Sequence, residues 1–235
     1  MSTPRPEKPG LEREVVYSEE HWQLLWEKRR KALRIMRALQ DLDPIVHGSI
    51  ARGDVTPESD VDVVILRPVP YSIVRTKLEA AGLRISHVEL VMATPRTTPK
   101  LYIYLDPEEE QVVTIPVIKL SKVEEEFYKF SGMLNLKDLE NNVRTCGVNK
   151  RLMFIKPTDR GHIEWCIIGR EHEVCSLLGV SIEVVQERVK MLTRRAEVGR
   201  TGTFMRILLD PDDAVEDVVR RELEKRGLRW VLRQL

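Results

Sequence analysis

The sequence predicts an α/β (α+β) fold: a small mixed sheet with flanking helices, followed by a C-terminal helical module. Apolar runs bounded by turn residues predict strands at 45–49, 61–66 and 85–92. Helical spacing over 71–81, ended by Gly82, separates the second strand from the third. Strands that alternate with helices along one stretch of chain favour this class.

The remaining patterns complete a four-part division of the chain. Residues 18–41 predict a helix with an acidic first turn, and 101–105 with 112–120 predict a β-hairpin. Glycines and prolines between 147 and 161 indicate a loop-rich connection. We therefore expect a disordered tail, a first domain, a connecting region and a helix-turn-helix or winged-helix domain, at 1–15, 16–125, 126–165 and 166–235.

The composition restricts the classes of function. Apolar residues make up 42% and charged residues 32%, and the formal net charge is +1, so nucleic-acid binding would need a local basic patch. Three cysteines without a C-x-x-C pair predict reduced thiols in a cytoplasmic protein. No apolar run reaches the roughly 18 residues of a membrane span. Abundant Glu, Lys and Arg with few Asn and Gln are typical of a thermophilic source.

The segment from His47 to Leu66 carries the strongest indication of chemistry. Asp60 and Asp62 lie two residues apart at a predicted strand, so their carboxylates point from one face. Such a pair repels unless a cation neutralises it, and oxygen ligands suit Mg²⁺ or Mn²⁺. Gly48 lets backbone amides approach a phosphate, and Ser49 adds a hydroxyl. The pattern predicts a nucleoside triphosphate bound together with a metal ion.

This segment resembles the DNA polymerase β-like nucleotidyltransferase superfamily, whose signature is Gly-Ser or Gly-Gly before an Asp-x-Asp/Glu strand. Its Gly-Ser-x-x-Arg-Gly and Ser-Asp-x-Asp details are similar to those of minimal prokaryotic nucleotidyltransferases. The resemblance implies that Gly48 and Ser49 bind the triphosphate, that Asp60 and Asp62 bind metal, and that Arg52 lies near the phosphates. It further implies two-metal transfer of a nucleoside monophosphate to a hydroxyl acceptor.

The third carboxylate of this superfamily has two candidate positions here. In one register, strand 87–91 follows the helix as in the minimal enzymes, and Glu89 is the third metal ligand and catalytic acid. In the other, 88–119 resembles the hairpin of archaeal tRNA CCA-adding enzymes, and the position is Thr114 in Val-Thr-Ile-Pro. A threonine cannot carry the metal charge, so the second register implies weak or absent catalysis unless Asp106 or Glu89 substitutes.

A second pattern, at 173–189, looks like a helix-turn-helix. Cys175 is small enough for a close helix approach, Gly179 suits the turn, and Ser181 suits the cap of the second helix. The second helix concentrates basic residues that we predict to contact RNA or DNA: Arg188, Lys190, Arg194 and Arg195. Residues 195–204 are compatible with the β-wing of a winged helix. A plain helical hairpin with solvated basic residues remains the alternative.

The whole chain resembles predicted nucleotidyltransferases of thermophilic archaea that join such a domain to a helix-turn-helix. The first functional hypothesis is an enzyme that uses a nucleoside triphosphate and Mg²⁺ (or Mn²⁺) to transfer a nucleoside monophosphate to a hydroxyl acceptor on nucleic acid. The second is a nucleic-acid-binding regulator with a weak or inert site, which Thr114 favours. A toxin–antitoxin-type partner role is a third hypothesis. The sequence leaves the oligomeric state open.

Overall fold

A computed structural model of the chain describes residues 10–199 and 202–235, and it divides them into two compact units. The first unit contains 10–30, 46–59 and 122–199, and the second contains 31–45, 60–121 and 202–235. Each unit is therefore assembled from three separate stretches of chain. This corrects the expected division into consecutive domains, which assumed that each domain is continuous in sequence.

The helices and strands are numbered in chain order. They are β1 (Arg13–Val16), α1 (Glu19–Ala38), β2 (Ile45–His47), α2 (Ser49–Arg52), β3 (Val61–Val64), α3 (Tyr71–Ala80), β4 (His87–Met92), β5 (Lys100–Tyr104), β6 (Gln111–Pro116), α4 (Lys122–Phe130), β7 (Met133–Asn135), α5 (Leu136–Glu140), β8 (Gly147–Val148), β9 (Met153–Thr158), β10 (Gly161–Cys166), α6 (Glu171–Leu178), α7 (Ile182–Val198), β11 (Met205–Leu209), α8 (Val215–Lys225) and α9 (Arg229–Leu232). None of the helices in the described ranges is both long and apolar enough to cross a membrane.

The first unit contains an antiparallel sheet in the order β1-β10-β9-β8. The stacked rings of Phe154 and Trp165, with centroids 4.8 Å apart, belong to a core that includes Val184 and Val185 of α7. The stretch 147–161, which was expected to be rich in loops, is mostly strand, because its glycines and its proline lie at or near the ends of β8, β9 and β10. The expected tail is corrected as well, since β1 begins at Arg13, while 1–9 lie outside the described residues.

The helical pair α6–α7 packs in this same unit, and α4 also packs against α7. Gly179 ends α6 with a φ of 61°, a left-handed conformation that favours glycine. Ser181 stands at the expected N-cap position of α7, but it does not cap the helix. Its backbone N–H, at 2.9 Å, and its hydroxyl both donate to Glu126 Oε2 on α4.

The second unit contains five strands in the order β11-β4-β5-β6-β3, with β3 parallel to β6 and the other neighbours antiparallel. The mixed sheet and its helices confirm the predicted fold class. The hairpin of β5 and β6 is confirmed too. The expected wing is corrected: 200–201 lie outside the described residues, and Met205–Leu209 instead extends this sheet as the neighbour of β4.

Candidate active site

The turn after β2 has free space beside its glycine, Gly48. Gly48 has φ 75° and ψ −144°, a conformation that side chains rarely tolerate, and a Cβ built there would meet no atom within 4 Å. Its N–H donates to the Gly132 carbonyl at 2.9 Å. The glycine is therefore required by the backbone conformation and leaves free space beside the turn.

Ser49 is tied to the residue that precedes the first aspartate. Its Oγ lies 3.0 Å from Ser59 Oγ, to which it donates. Lys28 Nζ donates to the carbonyls of Ser59, at 2.6 Å, and Pro57, at 3.0 Å, and so fixes the loop. Ser59 is joined to Asp60 by a peptide bond, so this serine links the Gly48–Ser49 half of the motif to the Asp60–Asp62 half along the chain.

Asp60 and Asp62 occupy the start of β3 in the second unit. Asp60 is exposed and directly precedes the strand, and Asp62 is half-buried between the fully buried Val61 and Val63. This alternation is the period of two that the sequence predicted. Thr114 Oγ1 donates to Asp62 Oδ1 at 2.8 Å. The side chain beside Asp62 is therefore a neutral hydroxyl on β6.

Glu89 lies on the same face of the sheet but several strands away. The register pairs it with Tyr102, Tyr102 with Thr114, and Thr114 with Val64, two residues after Asp62. Strands β5 and β6 thus stand between β4 and β3. Three strand spacings amount to about 14 Å, so Glu89 cannot share a metal ion with Asp62. This corrects the first register, and the second, with Thr114, describes the residue that is found beside Asp62.

The Glu89 carboxylate has partners of its own. It accepts from Arg206 Nε at 2.8 and 2.9 Å and from the Tyr104 hydroxyl at 3.4 Å. Burial, and next the Glu89 charge, raise the pKa of Tyr104 to about 12. No local pattern pairs Glu89 with Arg206, because that contact depends on β11 pairing with β4.

Tyr102 is a polar residue of this face that the sequence analysis missed. It is half-buried between Thr114 and Glu89 in the register. Burial, and after it the charge of Asp62, raise the pKa of its phenol well above the ordinary value, so the hydroxyl stays protonated. The alternation of Tyr102 and Tyr104 with the buried Leu101 and Ile103 was the available signal.

Arg52, which is expected near the phosphates, contacts other residues of the chain. Its side chain is 5% exposed, and its guanidinium contacts Asp54 through Nε at 2.9 Å and Nη2 at 3.1 Å. Nη1 donates to the carbonyls of Ser131 and Val148. This buried guanidinium therefore connects the loop at Asp54 to the segments that contain Ser131 and Val148. The protein contacts of Arg52 indicate a structural role, and its place near the phosphates stays a prediction.

Replacing Arg52 with methionine is expected to lower the free energy of unfolding by about 3–5 kcal/mol, because Asp54 would remain buried without its cation. Urea denaturation measures this change. The double variant Arg52→Met/Asp54→Asn should recover part of the loss. Unchanged stability together with lost nucleotide affinity would instead show that Arg52 binds the phosphates of the nucleotide.

Comparison with known families bears on this geometry. Residues 29–144 match the family model of the nucleotidyltransferase domain. These residues belong to the nucleotidyltransferase domain family. The match confirms the predicted superfamily, and with it a domain of the general nucleotidyl-transfer type. No curated protein and no solved structure is significantly similar to the chain.

The nucleotidyltransferase domain contains both halves of the motif as well as Thr114, and the match ends before α6 and α7. In the described part of the chain, no three His, Cys, Asp or Glu side chains group to hold a metal ion. Mg²⁺ commonly uses one or two carboxylates and completes its shell with water and substrate phosphates. The donor set of Asp60 and Asp62 therefore fits an ion that binds together with a nucleotide.

The basic residues of α7 fall into two groups. Lys190, Arg194 and Arg195 are exposed. Arg188 is half-buried, and its guanidinium carbon lies 4.5 Å from the centroid of the Phe127 ring. The structure thus separates Arg188 from the three side chains with which the sequence analysis had grouped it.

Proposed function

We propose that the protein transfers a nucleoside monophosphate from a nucleoside triphosphate to a hydroxyl acceptor. Asp60 and Asp62 would bind Mg²⁺ (or Mn²⁺), and the Gly48–Ser49 turn would bind the triphosphate. The observation that carries the proposal is the Ser49–Ser59 hydrogen bond, because it ties the phosphate-type turn to the residue before Asp60 inside a nucleotidyltransferase domain.

The roles of the side chains follow from their chemistry. The two carboxylates supply oxygen ligands, the open space beside Gly48 admits phosphate oxygens, and the Ser49 hydroxyl is oriented by Ser59. A bound divalent ion would neutralise charge on the phosphates and on the attacking oxygen. Thr114 donates to Asp62 and cannot take a proton from the acceptor, so the chain provides no general base at that position.

A transfer assay tests the proposal. The protein is incubated with each nucleoside triphosphate, labelled at the α-phosphate, with Mg²⁺ or Mn²⁺ and with RNA, DNA or small hydroxyl acceptors. We expect pyrophosphate release coupled to labelling of the acceptor, and loss of both with a chelator. Failure to bind any triphosphate with either metal would contradict the proposal.

A second candidate is a nucleotide-binding regulator that transfers slowly or not at all. The hydrogen bond between Thr114 and Asp62 favours it, since a neutral hydroxyl stands where the resemblance implies a third carboxylate. General-base catalysis typically contributes about 10²–10⁴-fold. Metal-dependent triphosphate binding without pyrophosphate release would support this candidate over the first.

For the acceptor we propose nucleic acid, because three exposed cations lie on one helix of a nearly neutral chain. Affinity for RNA or duplex DNA should fall steeply as the salt concentration rises, because binding of these cations to phosphates releases counterions from the nucleic acid. Replacing Arg194 and Arg195 with alanine should flatten the slope of log affinity against log salt by roughly one to two units. Filter-binding assays at low and at moderate salt concentration measure this slope. A slope that the double substitution leaves unchanged would support the alternative, a plain helical hairpin with solvated basic residues.

A further inference from the structure

Arg188 is a partly buried cation that forms no ion pair with any described residue, and the charge of the neighbouring Glu187 only partly offsets the fall in its pKa. The atom Nε is buried and makes no hydrogen bond, and the guanidinium stacks on Phe127. Arg170 of the same unit offers a comparison: it lies 3.8 Å from the Trp165 ring centroid, but it also forms ion pairs with Glu173 and Glu12. Arg188 has the aromatic contact without the carboxylates.

Such an arrangement is unfavourable unless an anion completes it. Withdrawing a guanidinium from water costs free energy that a stacked ring only partly returns. Burial, and next the charge of Arg195, lower the pKa of Arg188 to about 10, so the side chain is still charged at neutral pH. The site therefore holds a positive charge that is partly desolvated before any ligand arrives.

Two short steps within the first unit lead from Arg188 to the Gly48–Ser49 turn. The Phe127 ring contacts the ring of His47 edge to face, with centroids 5.9 Å apart, and His47 directly precedes Gly48. The segment just after α4, the helix that carries Phe127, also contacts this turn: the Gly132 carbonyl accepts a hydrogen bond from the Gly48 N–H at 2.9 Å. Arg188 is thus two ring contacts away from the proposed triphosphate turn.

We propose that Arg188 binds a phosphate group of the nucleoside triphosphate held at Gly48–Ser49. This inference rests on the proposed function, and it adds α7, which lies outside the matched nucleotidyltransferase domain, to the nucleotide site. Phosphate groups of a nucleic acid share the same chemistry. The free nucleotide fits better, because Arg188 is half-buried on Phe127 whereas Lys190, Arg194 and Arg195 are the cations that a polymer could reach.

The test compares Arg188→Met with the matched variant Arg170→Met, since each replaces an arginine stacked on an aromatic ring. Calorimetry measures binding of ATP and of inorganic tripolyphosphate, both with Mg²⁺, to the full chain. Loss of one charge-assisted contact should weaken both ligands about ten- to a hundredfold in Arg188→Met. Arg170→Met should bind both like the wild type, although its melting temperature falls.

Arg188→Gln covers the case in which Arg188→Met does not fold, and it should weaken both ligands as well, because it removes the charge but keeps a polar side chain. Equal ATP affinity in the wild type and in whichever of Arg188→Met and Arg188→Gln folds would overturn the inference while leaving the proposed function intact. Weakened RNA binding with unchanged ATP binding would also overturn it and assign Arg188 to the polymer. A wild-type protein that binds no triphosphate would defeat the proposed function itself.

Discussion

Replacing Asp62 with asparagine is expected to weaken Mg²⁺-dependent binding of a nucleoside triphosphate by about 10²–10³-fold, because a carboxylate contribution to a bound metal is worth several kcal/mol. The fold should survive. Thr114 can donate to an amide oxygen as it does to the carboxylate, and removing one charge relieves repulsion with Asp60. Calorimetry with Mg²⁺ and with a chelator measures the effect.

The control for this variant is Asp159→Asn, which makes the same chemical change at an exposed position in the first unit. Its affinity and melting temperature should match those of the wild type. Asp60→Asn should behave like Asp62→Asn. If both aspartate variants bind ATP–Mg²⁺ as tightly as the wild type, the proposed metal site is elsewhere.

The substitution Thr114→Asp is expected to raise the rate of nucleotidyl transfer by about 10²-fold or more, since it supplies a carboxylate where none now stands beside Asp62. The new charge should also destabilise the protein in the absence of metal, because position 114 is 1% exposed and would hold two carboxylates in contact. Mg²⁺ with nucleotide should restore the melting temperature. Pyrophosphate release and thermal unfolding measure the two effects.

Thr114→Asn provides the comparison, because it has the size of aspartate without the charge and should leave transfer at the wild-type level. A Thr114→Asp variant that binds ATP–Mg²⁺ and still shows wild-type transfer would contradict the assignment of this position. In that case Thr114 would not determine the rate of transfer, and it would no longer support the second candidate function, the nucleotide-binding regulator.

The local part of the site was predictable from the sequence, and its long-range part was not. Asp62 alternates with buried valines, so its face followed from the period of a strand. Glu89 obeys the same period and does lie on that face. Its distance from Asp62 depends on strand order, because β5 and β6 pair between β4 and β3. Periodicity fixes which face a side chain takes but carries no information on how many strands intervene.

The role of Arg52 shows the same limit at a single side chain. Its carboxylate partner, Asp54, is two residues away and visible in the sequence. The carbonyls that complete its surroundings come from Ser131 and Val148, some 80 and 96 residues further along the chain. The expected domain boundaries were wrong for the same reason. β1 pairs with β10 in one sheet, and β11 pairs with β4 in the other, and no local pattern encodes these pairings.

The pairing of β1 with β10 has a consequence for the newborn chain. Arg13 bonds to Glu164, 151 residues later, and at about 5–20 residues per second a ribosome needs roughly 8–30 s to bridge that interval. During this time β1 has no partner strand, and β4 must likewise wait for β11. Exposed strand edges recruit other chains. The edge of β1 therefore stays unpaired until synthesis has passed Cys166, and the edge of β4 until it has passed Leu209. A fragment that ends before β11 would keep the edge of β4 uncovered.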